Sequence, residues 1–217
     1  MADEHENRGP AQARDVPLLH VERLGKVDYM QTWQAMQRFT AERDDCAADQ
    51  LWLLQHPPVY TLGLAGKTEH LLRSVDIPLV RADRGGQVTY HGPGQLIAYL
   101  LVDLRRRNLG VREMVNRMEQ AVIDLLAAQD IEANRRKGAP GVYIGDAKIA
   151  ALGLRVKNAC TYHGIALNVN MDLTPFLAIN PCGFAGMAVT QLADFVPGCS
   201  LEGTADQLEK TLQECLR

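Results

Sequence analysis

The densest chemistry-bearing segment of the chain is Asp83-Arg84-Gly85-Gly86-Gln87-Val88-Thr89-Tyr90-His91-Gly92-Pro93-Gly94-Gln95. Four of the eleven residues from Gly85 to Gln95 are glycine, set among residues that favour strands. Residues without Cβ let a backbone approach a ligand closely and leave N–H groups free to face it. Arg84, His91 and Gln95 would add side-chain donors. The competing reading is a glycine-rich turn with a bulge. Neither GxxxxGK[ST] nor GxGxxG occurs here, so the segment is neither a P-loop nor a dinucleotide fingerprint.

The candidate nucleophiles are the cysteines at 46, 160, 182, 199 and 215. Their odd number, wide spread and lack of CxxC argue against a disulfide framework or a Cys-rich zinc site, and for free thiols in a reducing cytoplasm. Cys182 lies between Pro181 and Gly183, in an irregular loop where a thiol can be exposed. Cys199, in Pro197-Gly198-Cys199-Ser200, is the second loop candidate. Cys46, Cys160 and Cys215 read as inert, buried residues. Lys148 follows a Gly145-Asp146 turn and enters the apolar run Ile149-Ala150-Ala151-Leu152. A lysine there is either an edge residue whose stem reaches water or a desolvated ammonium that needs partners. His91 and His163 have no zinc-ligand spacing to any cysteine, so no metal is expected, and both read as orienting or lining residues. Arg105-Arg106-Arg107 with Arg112 and Arg117, and Arg135-Arg136-Lys137, read as solvated basic faces or as docking patches for an acidic partner.

Those residues need a frame. Strands are expected at Leu18–Leu24, Leu51–Leu54, Val59–Leu62, Pro78–Arg81, Gln87–His91, Gln95–Asp103 and Cys160–Asn170. A hairpin is expected from Val142 through Gly145-Asp146 to Val156. Tyr29, Trp33, Met36 and Phe39 predict a helix over about 27–43, and Met114, Met118, Ala121 and Leu125 one over about 111–129. Thr204 and Gln207 suggest a capping box for a last helix bearing Leu208, Leu212 and Leu216. Strands and helices do not alternate strictly. The expected class is therefore α+β, a mixed and mostly antiparallel sheet packed by helices.

The chain has 217 residues, 47% of them hydrophobic and 23% charged, with a formal net charge of -3. These values fit one catalytic domain over 16–217 after a loose tail at 1–15, and they exclude disordered, collagen-like and general nucleic-acid-binding classes. No apolar run is long enough for a membrane span. The acidic start, Met1-Ala2-Asp3-Glu4-His5-Glu6, is neither a secretory nor a mitochondrial leader, so a cytoplasmic protein is expected.

Five ordered blocks then converge. Arg84-Gly85-Gly86-Gln87-Val88-Thr89-Tyr90-His91-Gly92-Pro93-Gly94-Gln95-Leu96 resembles the signature of the lipoyl(octanoyl) transferases. His56-Pro57-Pro58-Val59-Tyr60-Thr61-Leu62-Gly63, Gly141-Val142-Tyr143-Ile144 with Lys148 to Gly153, Tyr162 to Asn170, and Ile179-Asn180-Pro181-Cys182-Gly183 resemble the family's other blocks. The resemblance spans roughly residues 18–192. It implies a fold similar to the catalytic domains of biotin and lipoate ligases. It implies transfer of an octanoyl group from octanoyl-acyl carrier protein to a lysine of a lipoyl domain. Acceptors would be the lipoyl domains of 2-oxoacid dehydrogenase complexes and the glycine cleavage H protein. It also marks Cys182 as the acyl-thioester nucleophile and Lys148 as the catalytic lysine. Arg84, Gly85, Gly86, Gln87, Val88, Thr89, Tyr90, His91, Ala151, Leu152, Gly153, Gly164, Ile165 and Ala166 become the expected substrate-contacting residues. No cofactor, nucleic acid or membrane is implied, and the expected state is a monomer.

Thioester chemistry suits those residue types. A thioester is already activated, so acyl exchange with a thiol needs no ATP. Free cysteine has a pKa near 8.5, leaving only a few per cent as thiolate at pH 7, and a neighbouring ammonium favours the ionised form. The alternatives are an ATP-dependent lipoate or biotin ligase, which needs no nucleophilic cysteine, and a non-catalytic acyl-binding protein.

Overall fold

Strand-favouring runs and a few helical apolar stripes build ten strands and three α-helices in the computed structural model, which describes residues 18–73 and 76–217, the Cys182 side chain excepted. The expected tail at 1–15 lies outside the described residues. In chain order the elements are β1 (His20–Lys26), α1 (Tyr29–Glu42), β2 (Gln50–Gln55), β3 (Val59–Leu62), β4 (Leu79–Arg81), β5 (Val88–His91) and β6 (Gln95–Leu101). There follow α2 (Val111–Ala127), β7 (Asn134–Arg135), β8 (Gly141–Ile144), β9 (Ala147–Lys157), β10 (Cys160–Asn168) and α3 (Leu201–Cys215). The strands form a seven-stranded sheet, β1-β2-β6-β10-β9-β8-β7, and a three-stranded sheet, β4-β3-β5. Among the strands of the described residues, only β1/β2 and β3/β4 pair in parallel, so the sheets are mixed and mostly antiparallel, as the sequence implies.

β6 shows how the layers are laid down. All seven of its residues are buried. Alternate side chains of a strand face opposite ways: Leu96, Ala98 and Leu100 join Met114, Met118 and Leu125 of α2 and Leu208 and Leu212 of α3. Ile97, Tyr99 and Leu101 face the other way, toward Met36 of α1. A strand covered on both faces has no polar side, and Gln95-Leu96-Ile97-Ala98-Tyr99-Leu100-Leu101 reads accordingly as a nearly continuous apolar run.

Three findings depart from or add to the expectations. The strands expected at Gln87–His91 and Gln95–Asp103 lie in different sheets: β5 pairs with β3 in the small sheet, whereas β6 lies between β2 and β10 in the large one. The Gly92-Pro93-Gly94 turn carries the chain from one sheet to the other. Gly94 has φ +86 and so close an approach to the Asn170 backbone that a Cβ would collide with it. Second, the last helix is capped by Ser200, whose hydroxyl accepts the Gly203 N–H at 3.0 Å. Thr204 lies inside its first turn, bonding back to the Ser200 carbonyl at 2.7 Å. Third, β7 carries no apolar pattern and was not expected. Among the described residues no helix is long and apolar enough to cross a membrane.

Candidate active site

The large sheet and the small sheet face each other across a narrow cleft lined mostly by apolar groups. One wall is the large sheet: Ala151, Leu152 and Gly153 of β9, Gly164, Ile165 and Ala166 of β10, and Ile97 and Tyr99 of β6. The other is Arg84, Gly86 and Gln87 of the glycine-rich loop with Val88, Thr89 and His91 of β5. Tyr29, at the start of α1, and His163 line it too. Of the expected substrate-contacting residues, Gly85 and Tyr90 do not line the cleft. Gly85 spends its N–H on the Leu154 carbonyl at 2.9 Å. Tyr90 alternates to the far face of β5, against Tyr60 and Phe176.

Small residues keep the walls close. A Cβ on Gly153 would stand 3.2 Å from the Gly85 carbonyl oxygen. Within the large sheet, a Cβ on Gly164 would strike the Ala98 carbonyl of the neighbouring β6. His163, just before Gly164, has φ +63 in the middle of β10, a conformation that costs a non-glycine residue about 1–3 kcal/mol. The twist brings Tyr162 and His163, which would otherwise point to opposite faces, onto one carboxylate. Asp83 accepts from His163 Nε2 at 3.1 Å and from the Tyr162 hydroxyl. It also accepts from Trp33 Nε1 at 2.9 Å and Gln37 Nε2 at 3.3 Å. Burial alone would raise the Asp83 pKa, but the hydrogen bonds from His163 and Tyr162 outweigh it and hold the carboxyl well below its ordinary value. Asp83 thus ties the start of the glycine-rich loop to α1 and β10.

Arg84 is buried, and its fork is taken up locally. It donates to Thr61 Oγ1, to the Thr61, Gly85 and Gln87 carbonyls, at 2.6–3.1 Å. Thr61 Oγ1 lies 3.3 Å from His91 Nε2, and His91 Nδ1 lies 2.8 Å from Gln95 Oε1. Gln95 Nε2 donates to Asn168 Oδ1 at 2.9 Å, and Asn168 Nδ2 to the Thr190 carbonyl at 2.9 Å. Arg84 supplies only donors and the Gln95 oxygen only accepts, so this order requires a neutral His91 protonated at Nδ1. Burial, followed by the neighbouring His56, lowers the His91 pKa to about 3, which agrees. His56 donates from Nδ1 to the Val27 carbonyl at 2.7 Å, accepts from the Tyr99 hydroxyl at 2.8 Å, and is lowered to about 4 by burial. Neutral rings make the histidines compatible with an apolar guest. No cluster of potential metal ligands occurs among the described residues.

Lys148 is not an edge residue. It is 3% exposed, because residues 188–190 run beside the start of β9: Lys148 N–H donates to the Ala188 carbonyl at 2.8 Å and Thr190 N–H to the Lys148 carbonyl at 3.0 Å. Its Nζ donates to the Pro140 carbonyl at 3.0 Å and sits 5.0 Å from the centre of the Tyr143 ring. Gly141 makes the room. At φ +143, a Cβ there would come within 2.8 Å of Lys148 Cε. Lys148 lines a small void with Pro181, Phe176, Val189, Thr89 and Ala151. Thr89 and Ala151 also line the cleft, so the two spaces share a wall.

Cys182 occupies the short 3₁₀ turn Pro181–Gly183. Its backbone is set by Gly183 N–H donating to the Asn180 carbonyl at 2.9 Å and Phe184 N–H to the Pro181 carbonyl at 3.2 Å. Its thiol lies outside the described residues. Among the others, Cys160 is buried as expected, Cys199 and Cys215 are half-buried, and Cys46 is exposed, since it falls in the loop after α1 instead of packing. Burial raises the thiol pKa of Cys160, Cys199 and Cys215, which disfavours reactive thiolates there.

The basic runs are not uniform solvated faces. Arg107 is buried on Asp49 at 2.7 Å, and Arg106 donates to the Ala47 and Asp45 carbonyls. Arg117 binds the carbonyls of Cys215 and Arg217, and Arg135 pairs with the buried Glu119 at 3.1 Å. Arg105, by contrast, is largely exposed. Tyr29, Ile97 and Tyr99 are cleft residues that sequence reasoning did not single out. The only signal is Asp28, which accepts the Gln31 N–H at 3.0 Å, starts α1, and thereby fixes Tyr29 in its first turn.

Residues 28–213 match the lipoyl protein ligase A/B catalytic domain. The octanoyltransferase of Thiobacillus denitrificans is 64% identical over 92% of this chain and 92% of its own. That of an Azoarcus species is 61% identical over 97% and 92%. In fold, the chain resembles lipoate-protein ligase A bound with ATP, with a TM-score of 0.77 at 17% identity over 92% of this chain and 86% of that one. A biotin protein ligase from Aquifex aeolicus gives 0.59 at 15% identity over 91% and 70%. The chain belongs to the lipoyl protein ligase A/B catalytic-domain family and, within it, to the octanoyltransferases: it is an acyltransferase.

Proposed function

We propose that the protein carries an octanoyl group from octanoyl-acyl carrier protein to the ε-amine of a lipoyl-domain lysine, through a thioester on Cys182. The observation that carries this reading is the buried Lys148 amine in a void walled by Pro181, one residue from Cys182, and sharing Thr89 and Ala151 with an apolar cleft. In this reading the cleft receives the linear acyl chain, with its carbonyl at the Lys148 end.

In the first half-reaction the Cys182 thiolate, favoured by the Lys148 ammonium, attacks the donor carbonyl. A new C–S bond forms, the donor C–S bond breaks, and the departing thiolate takes a proton from Lys148. In the second, the acceptor amine attacks the acyl-Cys182 carbonyl. The C–N bond forms, the Cys182 thiolate leaves, and the neutral Lys148 accepts the amine proton. The starting ion pair is restored, so no ATP, metal or other cofactor is required. Acceptors in this reading are lipoyl domains of 2-oxoacid dehydrogenase complexes and the glycine cleavage H protein, met by a monomer in the cytoplasm.

Intact mass after mixing with octanoyl-acyl carrier protein tests it. One octanoyl group should be added to the wild type and none to Cys182→Ser. Labelling of another cysteine, or ligation of free octanoate with ATP in place of a thioester donor, would refute the proposal.

A further inference from the structure

The Lys148 void has a second neighbour. Phe176, Pro181 and Val189, which do not line the acyl cleft, also line an open groove of about 460 Å³. Its remaining walls include Leu72, Leu173, Leu177, Ile179, Met187 and Ala188, with no charged residue among the described residues that line it. Leu72 and Leu177 are 52% and 69% exposed, and large apolar side chains grouped at a groove mark a binding surface. The Lys148 amine therefore stands between two apolar spaces.

Acyl transfer needs two approaches to one carbonyl. If the acyl chain fills the cleft, the attacking amine must arrive from another direction. We infer that this groove receives the aliphatic arm of the acceptor lysine; the inference rests on the thioester reading given above. The apolar lining has a chemical reason. At an ordinary pKa of about 10.4, only about one lysine in 2,500 is neutral at pH 7, and only the neutral amine is a nucleophile. Passage through an uncharged groove desolvates the ammonium and favours the neutral form. A pantetheine-like arm, with two amides to satisfy, would find few polar side chains: Thr174 and Asn180 are the polar residues in the lining.

The test uses enzyme acylated by a small thioester, octanoyl-N-acetylcysteamine, so that carrier docking does not enter. Three nucleophiles are then compared on wild type, Leu177→Arg and Leu72→Arg: an apo lipoyl domain, Nα-acetyl-lysine methylamide, and hydroxylamine, which is too short to need the groove. In both variants kcat/KM should fall roughly tenfold or more for the domain and for the small lysine arm, while hydroxylamine and the acylation step stay within about twofold. Leu177→Met should restore the wild-type values. Unchanged lysine kinetics would overturn the inference, as would equal loss with all three nucleophiles. Loss with the domain alone would make the groove a docking face for the domain body and not an arm channel. Slower acylation by octanoyl-acyl carrier protein, with lysine transfer intact, would assign the groove to the donor and also overturn it. Absence of any octanoyl adduct on wild type would strike the thioester reading itself, before any acceptor is added.

Discussion

Two groups of buried cations divide the molecule. Behind the large sheet, Asp49 takes Arg43 at 2.8 Å and Arg107 at 2.7 Å, with all three side chains at most 4% exposed. Beside the cleft, Lys148 and Arg84 are also buried, and their hydrogen bonds include those to the carbonyls of Pro140, Thr61, Gly85 and Gln87 and to the Thr61 hydroxyl. Arg43 and Arg107 are packed on one shared carboxylate, whereas Arg84 and Lys148 line the cleft and the void beside it. The sequence shows basic residues in both places; their position in the fold, on a carboxylate or against the cleft, distinguishes them.

The comparison breaks most visibly at Lys148. Lys148→Met keeps the volume and removes the proton carrier. Transfer to a lipoyl domain should fall roughly 10²–10⁴-fold, with urea unfolding showing a fold as stable as wild type. A large loss of stability with normal activity per folded molecule would make Lys148 structural after all. The opposite pattern is expected at Asp49. Asp49→Ala leaves Arg43 and Arg107 buried without their carboxylate and should cost about 3–5 kcal/mol, while kcat of the folded fraction is retained. If chemical denaturation shows less than about 1 kcal/mol of change, the cluster is not the buried charge site described.

The neutral histidines beside the cleft sharpen the same contrast. Burial holds His56 at about 4, below its ordinary 6.5, so the unfolded chain binds the proton more readily. Stability from this group is complete above pH 6.5 and is lost as the pH falls from there toward 4. His56 alone contributes roughly 3 kcal/mol at 1.36 kcal/mol per unit, and His91, lowered to about 3, acts with the same sign. Unfolding free energies measured from pH 7.5 to 4.5 should decline. A flat profile would mean that these rings are not held neutral.

Much of the frame was legible because single elements announce themselves. The α2 stripe and the β8–β9 hairpin each depend on local periodicity and a turn. What the pattern could not show is pairing between distant segments. Nothing local distinguishes a hairpin turn from Gly92-Pro93-Gly94, which passes the chain between sheets. The same limit hid the burial of Lys148, because residues 188–190 that cover it lie forty positions downstream. It also hid Arg107, whose carboxylate partner lies 58 positions upstream. Of the expected cleft residues, Gly85 and Tyr90 fall outside the lining for reasons of one-residue phase: the pleat turns Tyr90 away, and the loop turns Gly85 toward Leu154.

Gly153 gives the cleft an unusual engineering property. Its missing side chain would meet the Gly85 carbonyl and Arg84 on the opposite wall, so nothing remains to be trimmed there and substitution can only narrow the bore. Branched or bulky guests cannot be admitted there by shaving the protein, and a wider gauge would require moving the strands themselves.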